Sequence, residues 1–160
     1  MAPLLDLATR AVAGGLTVDQ GLASALDALD RLLLLQAALT DGRSIWLPPG
    51  GGIEPDETAE QAAIRAMLEE TGILLDSAGP CVWVRRPAFY GLDQAEMFFL
   101  ARVEGMPEVR DRDNPDPIEV AAHRGHRWWT HPEIVGAGDE VFVPRALGAL
   151  MPETIVEMSR

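Results

Sequence analysis

Hydrophobic positions are grouped unevenly along the chain, and the grouping predicts strands on both sides of one clear helix. Arg31 to Leu39 (RLLLLQAAL) is a short apolar run ending at the turn signal Asp41-Gly42, the pattern of a buried strand. Leucine and alanine also suit a helix, so that alternative stays open here. Ile45 to Leu47 reads as a brief extended piece. Pro48 to Pro55 (PPGGGIEP) is punctuated throughout by proline and glycine and is read as irregular. Thr58 to Thr71 is the clearest helix: Thr58 and Gln61 fit a capping box, and Gly72 stands where a C-terminal cap belongs. Cys81 to Tyr90 and Ala95 to Val103 read as two strands around a Gly91-Leu92-Asp93 turn. Met106 to Pro117 reads as a polar surface loop, Arg127 to Thr130 as a strand and His131 to Val135 as a helical turn. Arg145 to Leu150, after Pro144, opens the last helix. Residues 1–30 carry the weakest pattern. Arg10 to Asp19 reads as a strand weakened by Gly14 and Gly15, and Gly21 to Asp30 as a short helix or an insertion. Strands flanking a helix imply a mixed α/β or α+β sandwich.

The chain has 160 residues, 48% hydrophobic and 24% charged, which suits one globular domain spanning residues 1–160. Its formal net charge is −12, and all 13 basic residues are arginine. Without lysine there is no Schiff-base lysine and no Walker phosphate loop. Nonspecific binding to DNA is not expected, because it needs cations to neutralise phosphates. The same charge repels anionic small molecules unless a metal ion or an arginine cluster intervenes. Cys81 is the sole cysteine, which excludes an intrachain disulfide and a multi-cysteine zinc site. The start, Met1 to Asp6, lacks a signal-peptide pattern, and the run Leu32 to Leu35 is too short to cross a bilayer. A cytoplasmic protein without membrane contact is the expectation.

The charge is concentrated. Residues 50–73 read GGGIEPDETAEQAAIRAMLEETGI, with six carboxylates (Glu54, Asp56, Glu57, Glu60, Glu69, Glu70) against one cation, Arg65. Helical positions i, i+3 and i+4 share a face, so Glu69 and Glu70 adjoin the surface around position 66, and Arg65 lies one turn before Glu69. Folding alone does not favour adjacent like charges. A hard divalent cation does, because Mg²⁺ takes oxygen ligands and keeps waters and substrate phosphates in its shell. The glycine loop Gly50-Gly51-Gly52 lets backbone approach a ligand closely.

These residues resemble the Nudix hydrolase family, whose box is Gly-x5-Glu-x7-Arg-Glu-U-x-Glu-Glu-x-Gly-U, with U a bulky aliphatic. Here the box runs over residues 51–73 as Gly51, Glu57, Arg65, Met67, Glu69, Glu70, Gly72 and Ile73. The lead-in Trp46-Leu47-Pro48-Pro49-Gly50-Gly51 is similar to the family's Trp-x-x-Pro-Gly-Gly entrance. Arg127-Trp128-Trp129-Thr130 followed by Glu133-Ile134 is similar to a segment of bacterial members. The likeness covers residues 31–135. It departs from the pattern at Ala66, where the family has glutamate, and at Asp56, where glycine is frequent.

The resemblance implies an α/β/α sandwich with a mixed β-sheet. It also implies a hydrolase that cleaves the pyrophosphate linkage of a nucleoside diphosphate joined to another group, by attack of water on phosphorus with Mg²⁺ or Mn²⁺. Glu57, Glu69 and Glu70 would be metal ligands, Arg65 would orient the glutamates, and Glu119 is the best match for the general base, ahead of His123 and His126. Gly50, Gly51, Arg85 and Tyr90 are the candidates for substrate binding. An aromatic among Trp83, Phe89, Tyr90 and Phe98 suits stacking on a base. The implied partner is a small-molecule nucleotide, and a homodimer is compatible with the family. Loss of the carboxylate at Ala66 supports an alternative, a Nudix-fold nucleotide-binding or regulatory module with weak catalysis or none.

Overall fold

The computed structural model describes residues 17–39, 41–85, 94–105, 107–110, 123–149 and 151. Seven strands form one mixed sheet: β1 (Thr17–Leu26), β2 (Leu32–Ala38), β3 (Ser44–Leu47), β4 (Gly50–Gly52), β5 (Cys81–Arg85), β6 (Gln94–Arg102) and β7 (His123–Trp129). Helices α1 (Ala59–Thr71) and α2 (His131–Gly136) accompany them. The strand path is β3-β2-β1-β6-β5, with β4 added to β1 and β7 added to β2. Among the named strand pairs of the described residues, β1 with β6 is the parallel one, and Trp46 and Phe142 add an isolated parallel bridge. β1 meets β2 at the single register pair Leu26–Leu32, so the strands diverge from that corner. One wing is β4-β1-β6-β5 and the other is β3-β2-β7.

Two expectations are corrected here. Gly21 to Leu26 is strand, not helix, because parallel pairing with Met97 to Arg102 of β6 overrides its alanine and leucine content. Gly21 is there for packing. A Cβ on it would lie 2.1 Å from the carbonyl oxygen of Ala59, so only glycine lets α1 sit this close to β1. Gly50 to Gly52 is not irregular; it is the short strand β4, registered against Gln20 to Leu22. The open choice for residues 31–39 resolves as strand β2. Residues 147–149 are helical, as the last-helix reading expects. Residues 1–16 and the expected turn at 91–93 lie outside the described residues.

The core fills both faces. On the α1 face, Ala63 and Met67 pack with Ala23, Leu33, Met97 and Phe99. On the other face, Leu26, Leu34, Leu100, Trp46 and Trp129 pack with Ile134 of α2 and with Phe142 and Leu147. Asp27 at the β1–β2 corner is fully buried and takes amide hydrogen bonds from Leu29 and Arg31 as well as the Arg31 guanidinium. Burial pushes its carboxyl up, but the Arg31 side chain and these amides outweigh that and hold it below the usual carboxylate range.

Candidate active site

Local chemistry sets up helix α1. The Thr58 hydroxyl accepts from the Gln61 amide at 3.1 Å, and the Gln61 side chain accepts from the Thr58 amide at 2.9 Å. At the other end Gly72 adopts φ 74°, which favours glycine, and its amide bonds the Leu68 carbonyl. Between these caps, Ala62, Ala63, Ala66 and Met67 are buried, and the acids lie on the remaining surface.

Arg65 is the hub of the acidic segment. Its Nε donates to Glu57 Oε2 at 2.8 Å and its Nη2 to Glu57 Oε1 at 3.0 Å. Nη2 also donates to the Gly52 carbonyl at 2.8 Å, and Nη1 reaches Glu69 Oε2 at 3.3 Å. Glu54 lies 3.9 Å from the same guanidinium. The Arg65 bonds, opposed by desolvation and helped by the Glu54 amide, hold the Glu57 carboxyl below its ordinary value. The Glu57 carboxylate in turn raises the Arg65 pKa, so the guanidinium is permanently charged.

Glu70 faces the glycine strand, where its Oε2 accepts from the Gly50 amide at 3.0 Å. Ala66 is buried beneath the same strand, and a Cβ on Gly51 would stand 3.6 Å from the Ala66 methyl. Positions 66 and 70 therefore share the helix face that meets β4, while Glu69 is half-buried beside Arg65. Among the described residues, no three His, Cys, Asp or Glu side chains gather as a ready metal cage. Glu57 is drawn to Arg65, and Ala66 supplies no oxygen.

The remaining expected residues are dispersed. Gly50 and Gly51 are in β4. Arg85, at the end of β5, forms a two-point ion pair with Glu96 of β6, Nε to Oε2 and Nη2 to Oε1, each 3.1 Å. His123 and His126 are in β7. Glu119, Tyr90 and Phe89 lie outside the described residues. Sequence reasoning missed Glu96; its signal was a lone carboxylate within the apolar run Ala95 to Ala101. Arg127 and Glu133 pair across the β7–α2 junction, and Arg127 lies 3.8 Å over the Trp129 ring. The Thr130 amide, then its hydroxyl and Arg127, pull the Glu133 carboxyl down to about 2.

Comparison with known proteins points in one direction. The NUDIX domain family model matches residues 17–146. The chain is 29% identical over 139 residues to the m7GpppN-mRNA hydrolase NUDT17 of Bos taurus, covering 77% of this chain but only 44% of that protein. It is 31% identical over 121 residues to the RNA pyrophosphohydrolase of Erythrobacter litoralis, covering 63% of this chain and 69% of that one. The MutT protein of Methanosarcina mazei Go1 shares its fold with a TM-score of 0.66 at 18% identity, over 90% of this chain and 97% of that chain. The NUDIX domain of Shewanella oneidensis NrtR, solved with ADP ribose, does so with a TM-score of 0.63 at 18% identity, over 88% of each chain.

Proposed function

This chain belongs to the Nudix family, and on that premise we propose that it hydrolyses the pyrophosphate linkage of a nucleoside diphosphate joined to another group. The observation that carries the reading is the Arg65 hub: one guanidinium ties Glu57, Glu69 and the Gly52 carbonyl of the glycine strand into one unit. The relatives named above are an m7GpppN-mRNA hydrolase and an RNA pyrophosphohydrolase, names that support the same linkage chemistry. Residues 1–160 are read as a single domain.

Nudix proteins generally use divalent metals, and the donor set here suits a hard ion. Glu69 and Glu70 offer carboxylate oxygens within one helical turn, and the box contains no histidine or cysteine to favour a softer ion. Glu69 and Glu70 would hold Mg²⁺ or Mn²⁺, with Glu57 as a further ligand. When bound, the ion neutralises phosphate charge and acidifies a water. The chain's own residues do the rest. Arg65 orients Glu57 and Glu69, and the Gly50 amide fixes the direction of Glu70. Gly50 and Gly51 bring backbone close to the phosphates. Glu119 is assigned as the base that accepts the water proton, and Arg85 and Tyr90 as contacts to the rest of the substrate.

Ala66 stands in the place of the first glutamate of the core, and it supports the second reading, a nucleotide-binding module with little catalysis. Its burial against Gly51 makes the contact apolar where a carboxylate is expected. One experiment separates the two. Wild type, E69Q/E70Q and A66E are assayed against nucleoside triphosphates, ADP-ribose, dinucleoside polyphosphates and nucleotide sugars with Mg²⁺ and Mn²⁺. The hydrolase reading expects wild-type turnover that the double variant loses and that A66E raises only modestly. A wild type no faster than the double variant refutes it, and activity that appears only in A66E supports the binding module.

A further inference from the structure

Beside the C-terminal end of β6 lies a cleft of about 500 Å³. One wall is the chain from Leu100 to Glu104, and the other is the segment 73–77 that follows α1. Register separates the cleft from the acidic site. β4 lies along Gln20 to Leu22, whereas Arg102 is registered with Leu26, four residues further along β1. Four residues of strand span about 13 Å. The edge of β6 is uncovered here for a local reason. β5 and then the Pro80 carbonyl pair with β6 as far as Leu100. Proline has no N–H to return, so the ladder stops at this residue. At Gly79 the chain takes φ 76°, and Ala78 is buried in the same cluster as Ala101 and Val103 on the α1 face. The chain thus leaves the sheet at Gly79, and β6 runs on without a neighbour on that side among the described residues.

Alternation assigns the backbone groups on that edge. The Val103 amide donates to the Leu26 carbonyl of β1 at 2.8 Å, and the Leu100 amide donates to Pro80 on the opposite side at 3.0 Å. Arg102 shares the parity of Leu100, so its N–H and C=O face the cleft. Neither has a backbone partner among the described residues, and the same holds for residues 74–76 across the cleft. An open strand edge is a template for pairing with another chain. The side chains add apolar and acidic character. Buried Ile73, Leu75 and Val103 line the cleft, and Leu74 stands at its mouth 69% exposed. The Arg102 guanidinium is spent on the Asp27 carbonyl and on Asp30. Asp76 and Glu104 are exposed on either wall and have no ion-pair partner among the described residues.

We propose that this cleft docks an extended segment of a partner protein, one that alternates apolar residues with lysine or arginine. The segment continues the sheet where β5 stops. Its central residue exchanges two backbone hydrogen bonds with Arg102, which supply affinity without regard to sequence. Alternate side chains supply the specificity. One set enters the apolar lining beside Leu74 and Leu75, and the other projects towards the mouth, where a cation meets Asp76 or Glu104. Charge selects the occupant. The chain carries a net −12, so a basic segment is drawn to it and an acidic one is repelled. A second copy is disfavoured on the same ground, because an isologous contact sets Asp76 and Glu104 against their own equivalents. The volume lies within the range of about 300–1,000 Å³ that ligand sites occupy.

The docking site is independent of the hydrolase reading, and its test needs no turnover. Short random peptides displayed on phage are selected on the full chain and on the Asp76→Arg, Glu104→Arg double variant. Both positions are exposed, and a melting curve for each protein checks its fold. Wild type is expected to enrich peptides that alternate apolar residues with lysine or arginine, and the double variant is not. The best peptide, measured by calorimetry, should bind the double variant at least about 10-fold more weakly. Asp139→Arg, an exposed position outside the cleft, should stay within about twofold. Hydrogen exchange of the Arg102 amide, read by NMR, should slow by about 10-fold or more when the peptide is bound. E69Q/E70Q should bind the peptide as wild type does, so this site and the hydrolase fail separately. No enrichment over the double variant, enrichment of acidic peptides, or unchanged Arg102 exchange in the complex would each overturn the proposal. Self-association in sedimentation that the double variant abolishes would give the cleft to a second copy and overturn it as well.

Discussion

Replacing Arg65 with methionine keeps an apolar stem of similar length and deletes the cation at the centre of the acidic segment. Four contacts go: two to Glu57 at 2.8 and 3.0 Å, one to Glu69 at 3.3 Å and one to the Gly52 carbonyl at 2.8 Å. The side chain of Arg65 is 27% exposed and that of Glu57 only 13%, so the loss is partly screened and leaves Glu57 poorly solvated. Hydrogen bonds to charged groups contribute roughly 1.5–3 kcal/mol each when well buried. Their coupling and partial exposure bring the total to about 2–3 kcal/mol. At about 2–4 °C per kcal/mol for a domain of this size, the melting temperature at pH 7 should fall by about 5–10 °C. The pH dependence carries the sharper test. Glu57 is held below its ordinary pKa of 4.5 in the folded chain, chiefly by Arg65. Its contribution is complete above 4.5 and is lost as pH falls through the lower folded value. The gap between wild type and variant should therefore be widest near neutrality and narrow below about pH 4.5. Melting curves by circular dichroism from pH 3 to 8 read both. A loss under about 1 °C at pH 7, or a gap that does not close in acid, would refute the hub.

Gly21→Ala should destabilise by about 1–3 kcal/mol in urea unfolding, because its Cβ would lie 2.1 Å from the Ala59 carbonyl oxygen and α1 must move off β1. Asp27→Ala should cost about 3 kcal/mol by the same measurement, since it leaves the Arg31 guanidinium and the Leu29 and Arg31 amides without their buried acceptor; a loss under about 1 kcal/mol would sink that account. Glu133 titrates at about 2 in the folded chain against an ordinary 4.5. Glu133→Gln should therefore be less stable than wild type above pH 4.5, with the difference vanishing as pH falls towards 2, and a carboxyl NMR titration midpoint near 4.5 would contradict it. E69Q/E70Q should lower metal-dependent turnover by at least about 100-fold while melting close to wild type.

Helix α1, its two caps and its row of carboxylates were legible in the sequence because each depends on residues within a turn or two. Thr58 needs Gln61 three positions on, Gly72 needs Leu68 four positions back, and Arg65 needs Glu69 four positions on. Strand β2 was legible for a related reason, since an apolar run bounded by a turn has few other uses. Strands β1 and β4 were not. Their alanine, leucine and glycine content disfavours strand, and what holds β1 is a parallel partner more than 70 residues away, Leu22 against Phe98.

The chain by itself thus determined the Nudix box, the helix that carries it and the identity of every group the site can use, arginine included. Tertiary structure decided how those groups are disposed. It set Glu57 on Arg65, turned Glu70 to the Gly50 amide, and placed Arg85 beside Glu96 in one row with the glycine strand. The division follows from range. Caps and helix faces are set by bonds that close within a few residues, whereas strand register is set by which distant segments bury their apolar faces together, and one residue of slip would turn each side chain to the other face.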